Sequence, residues 1–164
     1  MSKKLFLLLV SVLLSIYFAF NLKAQDVKIL KFDGLKSSLE TSGSRLKVVN
    51  FWATWCRPCV EEMPSFLKFQ EIYKDKIDLI LVALDYPSTI DKKVLPFLKS
   101  KGISQKVIVL DEPDPNEWID KISPNWSGAI PATLIVDKSG RFIQFYEKSF
   151  TQEELEKTIT PFLK

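Results

Sequence analysis

Apolar and polar positions fall into short blocks whose period changes along the chain. Val27-Lys28-Ile29-Leu30-Lys31-Phe32 alternates imperfectly and predicts a short edge strand. Leu35 to Leu39 predicts a short helix, and Thr41-Ser42-Gly43-Ser44 a turn. Leu46 to Phe51 is dense in β-branched and aromatic residues, the composition of a buried strand. From Cys59 to Tyr73 apolar residues recur at Val60, Met63, Phe66, Leu67, Phe69, Ile72 and Tyr73, which is helical spacing. Pro64 lies inside this stretch and is expected to kink the helix.

Leu79 to Leu84 is a continuous apolar run, as in a strand covered on both faces. Ile90 to Leu98 predicts a helix disturbed by Pro96, with Gly102 at its end. Val107 to Leu110 is another buried strand, and Pro113 to Pro124 a proline-rich connection. That connection is expected to hold a short helix from Asn116, as its cap, to Ile122. Ala132 to Val136 and Arg141 to Tyr146 read as a hairpin around Asp137-Lys138-Ser139-Gly140. Thr151, with Glu154 three residues on, forms a capping box for a last helix whose Leu155 and Ile159 face the core. Strands alternating with helices imply an α/β fold. Its mixed, mostly parallel central sheet has helices on both faces and an antiparallel edge.

The first 24 residues stand apart. Lys3 and Lys4 precede an apolar run from Leu5 to Phe20, broken by Ser11, Ser15 and Tyr17. Asn21-Leu22-Lys23-Ala24 then offers a cleavage point, with Gln25 as the new N-terminus. The large Leu22 keeps an uncleaved membrane anchor as the alternative. Residues 1–24 are thus a signal peptide or anchor, and 25–164 one domain of ordinary size. Export to the periplasm or cell envelope follows. The net charge of +3 equals the three lysines of the leader, so the domain is neutral. Neutrality gives no electrostatic reason to expect nucleic acid as partner.

The chain has two cysteines and no histidine. Catalysis by Ser-His-Asp or Cys-His is therefore excluded, as are histidine metal ligands and haem ligation by histidine. A strand running into Trp55-Cys56-Arg57-Pro58-Cys59 at a helix start points instead to thiol–disulfide exchange. The thiolate is the reactive form, and unpaired N–H groups at a helix N-terminus stabilise it at Cys56. Cys59, one turn further in, is placed to resolve the mixed disulfide that Cys56 forms. Pro58 suits an early helix position, and the charge of Arg57 is expected to lower the Cys56 pKa further. A purely structural disulfide is the competing reading, but so short a loop restricts the unfolded chain little. No further ligand exists to make the pair a metal site.

Phe51-Trp52-Ala53-Thr54-Trp55-Cys56-Arg57-Pro58-Cys59 resembles the thioredoxin superfamily, and within it the exported TlpA/ResA-like branch. A second match is Gly128-Ala129-Ile130-Pro131-Ala132-Thr133. The resemblance covers roughly Leu46 to Lys164 and implies a thioredoxin-like fold. It also implies a cis Ile130–Pro131 bond against the cysteines, leaving the Ile130 backbone free to pair with an extended substrate. Cytoplasmic thioredoxins have a buried Asp where this chain has Asn50. Glu62-Met63-Pro64 matches the exported branch, so Glu62 is either a proton acceptor for the thiols or a solvated carboxylate favoured by the helix dipole. Asp85 is a weaker candidate and is expected to open the turn Asp85-Tyr86-Pro87-Ser88. Trp55 is expected to flank the thiol and substrate, and Trp52 to belong to the core. Trp118 and Trp126 either pack the loop, the favoured reading, or line a substrate groove.

By resemblance the activity is that of a monomeric thiol–disulfide oxidoreductase acting on exported protein thiols and disulfides. Its client would be an apocytochrome c or another specific thiol protein, and a membrane thiol reductant would supply electrons. The dithiol itself carries them, so no organic cofactor or metal is expected. An oxidase, an isomerase or a redox-switched binding or stress-response module on the same fold are the alternatives.

Overall fold

The computed structural model describes residues 27–163; the leader reading lies outside them. The elements are β1 (Val27–Leu30), α1 (Phe32–Glu40), β2 (Leu46–Trp52), α2 (Arg57–Ile72) and β3 (Ile77–Ala83), followed by α3 (Leu95–Ser100) and β4 (Lys106–Leu110). Then come α4 (Ile119–Ile122), β5 (Ala132–Val136), β6 (Phe142–Tyr146) and α5 (Gln152–Ile159). The six strands form one sheet in the order β1-β4-β3-β2-β5-β6. β1, β4, β3 and β2 run parallel, and β5 is antiparallel to both β2 and β6. This is the mixed sheet that the alternation of elements implies.

Both faces are covered. Val48 and Trp52 of β2 point to the layer that contains Met63, Phe66 and Phe69 of α2 and Leu155 and Ile159 of α5. Val49 and Phe51 point to the other layer, with Leu35 and Leu39 of α1 and Trp118, Ile122 and Trp126. All seven residues of β2 are buried, which explains why its sequence reads as a nearly unbroken apolar block. The capping box of α5 is present in full. α2 continues through Pro64.

The 87–102 segment is less regular than its pattern suggests. A 3₁₀ turn and a π-helical turn (Ile90–Val94) precede α3, and Gly102 ends the segment at φ +62°. Residues 113–124 also differ from expectation. Asp114, not Asn116, is the cap, accepting the Asn116 N–H at 2.9 Å. A 3₁₀ turn (Pro115–Glu117) and the short α4 replace one helix, because Trp118 at φ −141° interrupts it. The hairpin turn is held by Asp137, which accepts the N–H groups of Ser139 and Arg141. The Ser139 hydroxyl, which donates to the same carboxylate at 2.6 Å, and then these N–H groups draw its carboxyl well below the usual range.

Candidate active site

The site forms where β2 gives way to α2. The Cys56 N–H bonds Ala53 O at 3.1 Å, closing a tight turn that delivers Cys56 as the N-cap of α2. There Sγ accepts the Cys59 N–H at 3.3 Å, one of the orphan donors of a helix start. Arg57 and Pro58 occupy the first two helical positions, and a missing proline N–H costs nothing there. Cys56 and Cys59 are joined in a disulfide, with Cα atoms 5.3 Å apart. Cys56 retains 5% exposure and Cys59 none, so an incoming thiol can reach only the former. Cys56 is more enclosed than a freely accessible thiol would be.

Two further segments bracket the sulfur. Ile130–Pro131 is cis, and the carbonyl oxygen of Ile130 lies 3.7 Å from Cys56 Sγ. The Trp126 indole N–H donates to Ala129 O at 2.8 Å and so holds the residue next to Ile130. Trp126 also packs on Phe51 and Trp118, so both tryptophans are loop packing, as favoured. Trp55 stands 65% exposed beside Cys56, whereas Trp52 is core.

Asp85 does not open a turn. Its carboxylate is buried and accepts the Thr54 N–H at 2.8 Å and the Thr54 hydroxyl at 2.5 Å. The end of β3 thereby clamps the loop two residues before Cys56. Arg57 also differs from expectation. Its guanidinium is exposed and pairs with Glu61 at 2.7 Å, so its charge is shared along the helix surface and its pull on Cys56 is weakened.

Glu62 is not a solvated carboxylate. It is buried one turn after Cys59, with Oε1 accepting from Asn50 Nδ2 at 2.9 Å and Oε2 from the Phe150 N–H at 2.8 Å. Burial pushes its pKa up to about 7, against the opposing pull of these two bonds. A cleft of 390 Å³, lined by Pro58, Glu61, Glu62, Ser65 and Phe150 among others, reaches it from the α5 side. Thr54 and Phe150 escaped the sequence reading. The Phe150 contribution is a backbone N–H, which leaves no mark on residue type, and Thr54 is recognisable only once Asp85 is seen opposite.

The arrangement can exchange a disulfide at Cys56 with a proton-accepting group one turn away. Comparison with known proteins agrees. The Redoxin family matches residues 21–159. The chain is 30% identical over 142 residues to the thiol-disulfide oxidoreductase ResA of Bacillus thuringiensis (strain Al Hakam), covering 85% of this chain and 78% of the relative. It is 28% identical over 137 residues to the thioredoxin-like protein YneN of Bacillus subtilis (strain 168), covering 84% and 76%. Among solved structures it is similar to a thiol:disulfide interchange protein of the thioredoxin family from Chlorobium tepidum TLS. That match has a TM-score of 0.61 and 22% identity and covers 79% of this chain and 85% of the other. A DsbF homologue from Corynebacterium diphtheriae gives 0.60 at 23% identity, covering 73% of each. At these identities the structural matches speak for the fold, which is thioredoxin-like.

Proposed function

The chain belongs to the Redoxin family and is a thiol–disulfide oxidoreductase, and from that premise we propose that it reduces disulfides in exported proteins of the cell envelope. The observation that carries this reading is Cys56 at a helix N-cap, against the Ile130 carbonyl, with Cys59 buried beneath it.

In the reduced protein the Cys56 thiolate attacks one sulfur of a client disulfide. A Cys56–client bond forms, and the other client sulfur leaves as a thiolate that takes up a proton. Cys59 gives its proton to Glu62 and attacks Cys56 Sγ. The Cys56–Cys59 bond forms, the second client thiol is released, and two electrons have passed to the client. A membrane thiol reductant then restores the dithiol, so the cycle needs no organic cofactor or metal. Trp55 and the Ile130 backbone hold the client strand beside Cys56, Pro131 keeps that backbone in place, and Pro58 stiffens the helix start.

The client is an exported thiol protein, an apocytochrome c being one candidate by family. The test is a client trap. Cys59→Ser should stall the mixed disulfide on Cys56 and recover disulfide-linked envelope proteins; recovery of none refutes turnover on proteins. A glutathione titration tests direction. A potential near that of thioredoxin supports a reductase, and one far more oxidising makes the protein an oxidase.

A further inference from the structure

Glu62 takes one of its two hydrogen bonds from a backbone group at position 150, a donor that any residue but proline would offer. The side chain at that position is nonetheless a large aromatic ring, buried to 2% exposure. We propose that Phe150 is a positioning residue for the proton transfer: its ring, seated on α2, fixes its own backbone N–H on Glu62. This role rests on the oxidoreductase reading above and deepens its account of Glu62.

Residue 150 grips α2 at two points one turn apart. Its N–H donates to Glu62 Oε2 at 2.8 Å. Its ring meets the ring of Phe66 edge-on, with centroids 6.3 Å apart. Phe66 lies four residues after Glu62 in the same helix, and positions so spaced share one helix face. A second ring, Tyr146 at the end of β6, meets Phe150 edge-on at 5.5 Å. Lys148 Nζ stands 4.6 Å over the Phe150 ring and is itself held by Glu154 at 3.0 Å. The ring is thus fixed from the helix, from the sheet and from its own loop. Residues 147–149 of that loop are exposed, so Phe150 is its buried anchor.

The competing role is purely structural. Phe150 precedes the cap Thr151, and Leu155, at the fourth position of α5, lies in the same core layer. That is the arrangement of a hydrophobic staple. A staple needs only an apolar residue, so leucine would serve, and it is indifferent to Glu62. It accounts neither for the two edge-on ring contacts nor for the second grip on α2.

A loosened donor favours the neutral carboxyl, so weakening the clamp raises the Glu62 pKa. The surrounding groups leave this effect readable. Asn50 donates from β2 and is neutral. Glu61 on α2 pairs with Arg57, and Glu154 on α5 pairs with Lys148. Tyr146 on β6 keeps its proton, since burial raises its pKa. Cys56 and Cys59 do not titrate while joined.

The test is a carbon-13 NMR titration of the Glu62 carboxyl in the oxidised protein. The wild-type midpoint should fall near pH 7. Phe150→Leu, which keeps the staple, should raise it by about half a unit to one unit, at low and at high salt alike. Phe66→Leu should raise it in the same direction, and the double variant by less than the two shifts together. In the reduced protein, the pH dependence of Cys59 resolution, read by stopped-flow exchange with glutathione mixed disulfides, should move with the NMR midpoint. An unmoved midpoint in Phe150→Leu makes Phe150 a staple and overturns the proposal. A shift that high salt abolishes, or additive shifts in the double variant, overturns it as well. If Phe150→Leu does not fold, Phe66→Leu decides alone, and an unmoved midpoint there is fatal. A moved midpoint with an unmoved resolution profile removes Glu62 from the reaction and the proposed role of Phe150 with it. Absence of exchange in the wild type refutes the oxidoreductase reading itself.

Discussion

The side-chain amide of Asn50, at the centre of β2, donates to Glu62 of α2 at 2.9 Å, so a buried carboxylate behind the disulfide is tethered to the sheet. Asn50 takes no proton itself. It favours the charged form of a group that burial alone would keep neutral.

Glu62 makes stability depend on pH. Its folded pKa is raised, to about 7 against an ordinary 4.5. The folded state therefore binds the proton more tightly, and the stabilisation is full below about pH 4.5 and lost as pH rises through 7. Denaturant melts between pH 4.5 and 8 should show a fall on the order of 2–3 kcal/mol in the wild type. Glu62→Gln should remove that slope. It should also move the pH dependence of Cys59 resolution, read by stopped-flow exchange. An unchanged profile would exclude Glu62 as the proton acceptor.

Asn50→Ala removes one of the two donors to Glu62 and leaves the Phe150 N–H. The pKa of Glu62 should rise further, so the stability loss in the same melts shifts to higher pH. At pH 8 the variant should be about 1–3 kcal/mol less stable than the wild type, and the deficit should shrink near pH 5. A deficit independent of pH would show that the bond to Glu62 is not its origin.

Asp85→Ala leaves the Thr54 N–H and hydroxyl without their acceptor. A loss of about 2–3 kcal/mol is expected in urea unfolding. Alkylation of the reduced protein should also change at Cys56, because the loop that presents it loses its clamp. An unaltered alkylation rate would confine Asp85 to a structural role.

Gly140→Ala should destabilise by about 2–4 kcal/mol. Gly140 sits at φ +88°, and a Cβ there would come within 1.8 Å of Glu40 O. Gly43→Ala is the control. Nothing lies within 4 Å of its Cβ position, so its thermal midpoint should barely move. Equal effects at both sites would contradict the close approach of the hairpin turn to the end of α1.

Much of the site was legible because its chemistry is local. A strand, a turn and a helix start within nine residues place Cys56 on its cap and Cys59 beneath it by backbone geometry alone. The capping box at Thr151 and Glu154 and the turn at Asp137 to Gly140 were legible for the same reason, since each closes over a few residues. Asn116 was misread as a cap because two flanking prolines and an aspartate compete for the same start, and Asp114 has the better-placed acceptor.

Residue identities by themselves determined the α/β class with its mixed sheet, the redox pair and the absence of histidine chemistry, because alternation, spacing and composition are properties of the chain before it folds. Only the tertiary structure decided the surroundings of Glu62, Asp85 and Arg57. Glu62 meets an N–H 88 residues away, and Asp85 meets Thr54 31 residues away. A carboxylate's role depends on its burial and partners, which exist only once β2, β3, α2 and the loop before α5 have come together.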